Sequence, residues 1–147
     1  MDEFDKEELF RIIDNRKTCI NVMTIGKEDK HPIVKSLIDY VVDKSNSDHG
    51  IIFHPPSKLN NKYEDYPNVE YEISNNYAER CLTFKKSYLV FDDCMHCIKG
   101  FSGFEDLCVG SRHYNINPLI ITAQYTLSLK PMLRNTFDLI FLCKEDN

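Results

Sequence analysis

The chain has 147 residues and a net charge of −5, enough for one domain with a genuine core and too few for two comfortable ones. With 42% hydrophobic and 28% charged residues it has an ordinary composition, and no apolar run approaches the roughly 18 residues that cross a bilayer, which excludes a helical span. The acidic start, Met1-Asp2-Glu3-Phe4-Asp5, lacks the basic and apolar regions of a secretory signal, which points to a reducing compartment. The charge supplies no overall basic footprint for nucleic acid. Cys19, Cys81, Cys94, Cys97, Cys108 and Cys143 mostly sit in or beside apolar runs, where a thiol packs as a small hydrophobe.

In chain order, Phe4, Leu9, Phe10, Ile12 and Ile13 recur at helical spacing behind acidic residues, predicting an amphipathic helix over 2–15 that packs on the edge of the downstream core. A β-prone segment from Cys19 to Ile25 ends at Gly26. After a charged loop, Pro32 opens a helix with Ile33, Leu37, Ile38, Val41 and Val42 on one face. Ile51-Ile52-Phe53 gives a second strand that stops at His54-Pro55-Pro56, and the alternating Val69-Glu70-Tyr71-Glu72-Ile73 reads as a peripheral strand. A helix around Asn76–Lys85 precedes a strand at Ser87–Phe91, a helix around Phe104–Ser111 precedes a strand at Leu119–Ala123, and a turn near Leu129–Leu133 precedes a strand at Leu139–Cys143. This β-α alternation with five buried strands predicts one α/β domain over 1–147, its N-terminal helix within 1–17 and its core over 19–143. The same alternation predicts a parallel sheet with helices on both faces and functional groups at the carboxyl ends of the strands.

Asp92 and Asp93 end an apolar strand, the placement that phosphoryl transfer to water requires of carboxylates that hold a metal and orient the attacking water. Gln124, one strand over, is placed to sense a γ-phosphate, and Arg134 either to act as an arginine finger into a neighbouring subunit or to form a surface salt bridge. Arg112 and His113 are placed either to contact nucleotide or a neighbouring subunit, or for Arg112 to stack on Tyr114 at a helix end. Cys94 and Cys97 flank His96 like half of a zinc site or a redox pair, and a second ligand pair at zinc spacing is missing.

Tyr88-Leu89-Val90-Phe91-Asp92-Asp93, Ser111-Arg112-His113-Tyr114-Asn115-Ile116, Ile121-Thr122-Ala123-Gln124-Tyr125 and Leu133-Arg134-Asn135-Thr136-Phe137-Asp138 resemble, in this order, the DNA-packaging ATPases of large cytoplasmic DNA viruses, including those of poxvirus type. That family belongs to the FtsK/HerA group of RecA-like P-loop NTPases, and the likeness spans roughly residues 19–143. The resemblance implies a five-stranded core in the order 5-1-4-3-2, a ring oligomer, and ATP with Mg²⁺ bound through Asp92. It also implies viral DNA and virion or packaging proteins as partners, in the host cytoplasm at the viral factory or in the virion.

The family's phosphate loop has the pattern GxxxxGK[ST], and laying it on Gly26 aligns the next helix without a gap. His31 then occupies the second glycine position, Pro32 the lysine position and Ile33 the hydroxyl position, while Glu28 and Asp29 add negative charge. A side chain at 31 crowds the backbone approach that glycine permits, Pro32 has neither ammonium nor amide hydrogen, and Ile33 cannot ligate Mg²⁺. Each lost charge-assisted contact is worth roughly 1.5–3 kcal/mol, so losing two or three costs on the order of 10² to 10⁶ in affinity. Lys27, Lys30 and Lys35 are the available substitutes, and Gly26, Lys27, Lys30, His31, Lys35 and Ser36 form the candidate nucleotide-binding set. Two functions remain open: a degenerate homologue acting in virion assembly, or an active ATP-dependent DNA translocase with a non-standard loop or a partner subunit. The chain stops at Asn147, just after the fifth strand, which reads as a shortened paralogue or a fragment.

Overall fold

The computed structural model describes residues 7–8, 10–11, 20–26, 31–45, 49–54, 63, 66, 69–70, 87–94, 104–113, 116–123 and 135–142. The helix expected around Asn76–Lys85 and the turn near Leu129–Leu133 lie outside them.

Six strands make one sheet: β1 (Asn21–Ile25), β2 (His49–Phe53), β3 (Val69–Glu70), β4 (Ser87–Asp92), β5 (Leu119–Ala123) and β6 (Leu139–Leu142). Every pairing is parallel, and the order is β3-β2-β4-β5-β1-β6. Without β3, this is the five-strand order that the family resemblance implies. The Val69–Glu70 segment joins outside β2 as an edge strand, in keeping with its peripheral pattern. Two helices have both ends among the described residues: α1 (His31–Ser45) and α2 (Phe104–Gly110).

The strands read as nearly unbroken apolar runs because helices cover both faces. On one face the register aligns Val22, Ile120, Val90 and Ile52 in a single row across β1, β5, β4 and β2. Val34, Leu37 and Ile38 of α1 pack on that row. On the other face Met23, Ile121, Phe91 and Phe53 align, and α2 contributes Phe104, Leu107 and Cys108. There the Phe91 ring stacks on Phe53 at 5.0 Å and meets Phe104 edge-on at 5.7 Å.

Glu7, Glu8, Phe10 and Arg11 are helical, and the Phe10 ring stacks on Tyr40 of α1 at 3.9 Å. The fifth predicted strand departs from the buried character expected of it. β6 alternates half-buried and exposed positions, leaving Ile140 47% and Leu142 76% exposed. Among the described residues it pairs only with β1, so it is an edge.

Candidate functional site

Continuing the α1-side row by two residues along each strand replaces apolar side chains with polar ones. The register sets Asp92 beside Thr122 and Thr122 beside Thr24, and His54 directly succeeds Phe53, the partner of Phe91. His54, Asp92, Thr122 and Thr24 therefore form a buried polar row at the carboxyl ends of β2, β4, β5 and β1. This is where open parallel sheets bind ligands.

Asp92 is the centre of the row. The Thr122 hydroxyl donates to Asp92 Oδ1 at 2.6 Å, and the Tyr63 hydroxyl donates to Oδ2 at 2.9 Å. His54 Nε2 lies 3.9 Å from the same Oδ2. The direction of the Thr122 proton is set by its neighbour, because Thr122 Oγ1 also accepts the Asp93 N–H at 2.9 Å. Asp93 has φ 54°, the left-handed conformation that aspartate tolerates, and its N–H also reaches the Thr122 carbonyl at 3.1 Å. The two aspartates thus differ: Asp92 is buried inside the row, and Asp93 is half-buried just past the strand end with a left-handed backbone. Cys94 is buried behind them, its thiol placed to donate to the Phe53 carbonyl at 3.2 Å or the Asp92 carbonyl at 3.3 Å.

On β1, Gly26 has φ 142°, which a side chain would strain, and its N–H donates to the Ala123 carbonyl at 3.0 Å. Just beyond the loop α1 begins at His31, so His31, Pro32 and Ile33 make the helix's first turn. Ser36 directs its hydroxyl back to the Pro32 carbonyl at 2.9 Å, and Lys35 is half-buried one turn into the helix. The His31 side chain, Lys27, Lys30, Gln124 and Arg134 lie outside the described residues, as do His96, Cys97 and Tyr114.

Arg112 belongs to a different network. Its guanidinium pairs with Asp138, and Asp138 Oδ2 accepts the Asn21 N–H at 2.8 Å. The Asn21 amide donates to the Cys108 and Thr136 carbonyls, both at 3.2 Å, and accepts from the Ser111 hydroxyl at 2.9 Å. These residues surround the amino end of β1, opposite the polar row, and join α2 to β1 and the start of β6. Burial, with a smaller contribution from Glu105, pushes the Cys108 thiol up to about 12. Such a thiol is inert. No group of three metal-ligating side chains occurs among the described residues.

Sequence reasoning found Asp92 and Asp93 but passed over Thr24, His54, Tyr63 and Thr122. Three of these carry a shared signal, a lone polar residue at or just past the end of an apolar strand. Tyr63 carries none, because it arrives from a connection 29 residues away from Asp92.

This combination of sheet order, strand-end carboxylate and glycine-to-helix loop defines an α/β fold of the P-loop NTPase type. Among solved structures, the chain is similar to the genome packaging NTPase of Sulfolobus turreted icosahedral virus 2 in complex with ATP-gammaS, with a TM-score of 0.63 and 16% identity over 88% of this chain and 76% of that one. It is also similar to a DNA polymerase III gamma subunit-related protein of Thermotoga maritima, with a TM-score of 0.59 and 12% identity over 96% of this chain and 46% of that one. An uncharacterised protein of Frog virus 3 (isolate Goorha) is 42% identical over 67 residues, and one of Acanthamoeba polyphaga mimivirus is 26% identical over 122 residues. The first match covers 43% of this chain and 20% of the relative, the second 66% and 43%, so the chain spans less than half the length of either. No family profile matches the chain. Among the described residues no helix is long and apolar enough to cross a membrane.

Proposed function

We propose that this chain is a degenerate relative of the viral genome-packaging ATPases of FtsK/HerA type, serving virion assembly without hydrolysing ATP on its own. The observation that carries this reading is the start of α1 at His31, close behind Gly26. That register puts Pro32 and Ile33 in the helical turn where a phosphate loop presents its lysine and its metal-binding hydroxyl. Pro32 removes one N–H from the turn, and the nearest downstream hydroxyl, on Ser36, is committed to the Pro32 carbonyl. The Asp92 oxygens both accept protein hydroxyls. These groups do not fit Mg²⁺ and ATP held in the family's manner, and no catalytic step is assigned to Asp92, Asp93, Gln124 or Arg134.

The viral relatives and the packaging-NTPase neighbour support a role beside packaging proteins and viral DNA, in the viral factory or the virion. A homo-oligomer, or a hetero-oligomer in which another subunit hydrolyses ATP, suits a chain that keeps the motor fold and has lost the phosphate loop. The test is titration of the purified chain with a fluorescent ATP analogue and Mg²⁺. No saturable binding is expected at millimolar nucleotide, whereas the triple change His31→Gly, Pro32→Lys, Ile33→Thr restores it. Saturable micromolar binding by the unchanged chain that disappears in Asp92→Ala would sink this reading.

A further inference from the structure

The carboxylate at the end of β4 has a different use in this chain. A carboxylate offers about four lone-pair positions. Here the Thr122 hydroxyl takes one on Oδ1, the Tyr63 hydroxyl takes one on Oδ2, and His54 Nε2 stands 3.9 Å from Oδ2. The enclosing residues are Thr122, 1% exposed, Tyr63, 2%, and His54, 3%. Mg²⁺ dehydrates reluctantly and keeps several of its waters when bound. Two of the roughly four positions are therefore already held by buried protein hydroxyls, and a hydrated ion would have to displace them or make do with what remains.

Tyr63 is also the first residue of a tight turn. The Tyr66 N–H donates to the Tyr63 carbonyl at 3.0 Å, and the Tyr66 hydroxyl donates to Asp39 of α1 at 2.8 Å. The turn therefore reaches β4 through one tyrosine and α1 through the other. We infer that Asp92 is the anchor of a metal-independent buckle, in which the Tyr63 and Thr122 hydroxyls join the Tyr63–Tyr66 turn, and through it α1, to the carboxyl ends of β4 and β5. In a working motor the nucleotide and its metal bridge the loop-helix to the strand-end carboxylate. In this chain the tyrosine turn joins the same two elements without either.

The buckle is tested by equilibrium unfolding in EDTA, without nucleotide. Tyr63→Phe and Asp92→Ala each raise the unfolding constant by about tenfold to a hundredfold, the range for a hydrogen bond to a charged group. The double variant is scarcely less stable than Asp92→Ala alone, because both changes remove the same bond. Thr122→Val weakens the fold and Thr122→Ser, which keeps the hydroxyl, recovers most of the loss. Millimolar Mg²⁺ leaves the wild-type midpoint where it was. Additive effects of Tyr63→Phe and Asp92→Ala, or a Mg²⁺-dependent rise in the wild-type midpoint, would overturn the buckle. If Asp92→Ala fails to fold, the Thr122 pair and the Mg²⁺ titration decide the matter. Since no nucleotide is present, a failure here leaves the reading of the phosphate loop standing, and failure of that reading leaves the buckle standing.

Discussion

Among the described residues, Thr24 is the member of the polar row whose hydroxyl finds no hydrogen-bond partner, although it is fully buried between Thr122 on β5 and Phe141 on β6. A buried hydroxyl without a partner loses its water and gains nothing in return. Thr24→Val swaps it for a methyl group of the same shape, and β-branching already suits the strand. The expected outcome is a gain of about 1 kcal/mol in denaturant unfolding. A loss instead would mean that the hydroxyl serves a contact made only in the assembled protein. At this scale the two aspartates were legible because an acid closing an apolar strand is a local pattern. The row was not, because setting Thr24 beside Thr122 and Thr122 beside Asp92 needs the strand order, which joins segments far apart in the chain.

Among elements, the pairing of β2 with β4 shows what hydrophobic periodicity leaves out. Gly50 sits opposite Tyr88 in the register, and the tyrosine ring lies over it: a Cβ at residue 50 would come within 2.2 Å of the Tyr88 ring. In a strand interior glycine ordinarily weakens the strand, and here its missing side chain is the space the ring occupies. Gly50→Ala is therefore expected to destabilise by about 1–3 kcal/mol, the usual range for overpacking. In a Tyr88→Ala background the same change becomes neutral or favourable, because the clash is gone and alanine stiffens the strand; thermal unfolding of the four proteins checks this. Strands β1, β2, β4 and β5 were legible from apolar runs alone, and α1 from its proline start and periodic face. The exposed side of β6 was not, because an apolar run says nothing of whether a second neighbour covers it. Arg112 meets the same limit where α2 joins the sheet. Arginine beside histidine after a helix looked equally suited to a ligand, yet the fold brings Asp138 to it from the start of β6 and uses the pair to lock the amino end of β1. Removing that carboxylate with Asp138→Ala leaves the Asn21 N–H without its acceptor, and a loss of about 1–3 kcal/mol is expected in denaturant unfolding. ATP-analogue titration should be unchanged, since the network stands at the far end of the sheet from the polar row.

For the molecule as a whole, each face of the sheet buries a weak acid that folding holds in its neutral form. Cys108 lies in the cluster under α2 and Tyr88 in the cluster under α1. Burial raises the Cys108 thiol from 9.0 to about 12, with Glu105 adding to the effect, and burial with a smaller contribution from Asp39 raises Tyr88 above 10.0. Both folded values exceed the unfolded ones, so above the unfolded value the unfolded chain releases its proton first. The stability tied to Cys108 is complete below pH 9.0 and is lost progressively as the pH climbs towards 12, with Tyr88 joining above pH 10.0. Urea unfolding at pH 8 and at pH 10.5 should show a fall on the order of 2 kcal/mol from the thiol alone, taking about 1.4 kcal/mol per pH unit between the two values. Cys108→Ala lowers stability at both pH values through the cavity it leaves, but it flattens the difference between them, while every other titrating group contributes equally to both proteins. An undiminished fall in Cys108→Ala would show that the thiol is not held neutral by the core. The packing under α2 would then be looser than the contacts of Phe104, Leu107 and Cys108 require.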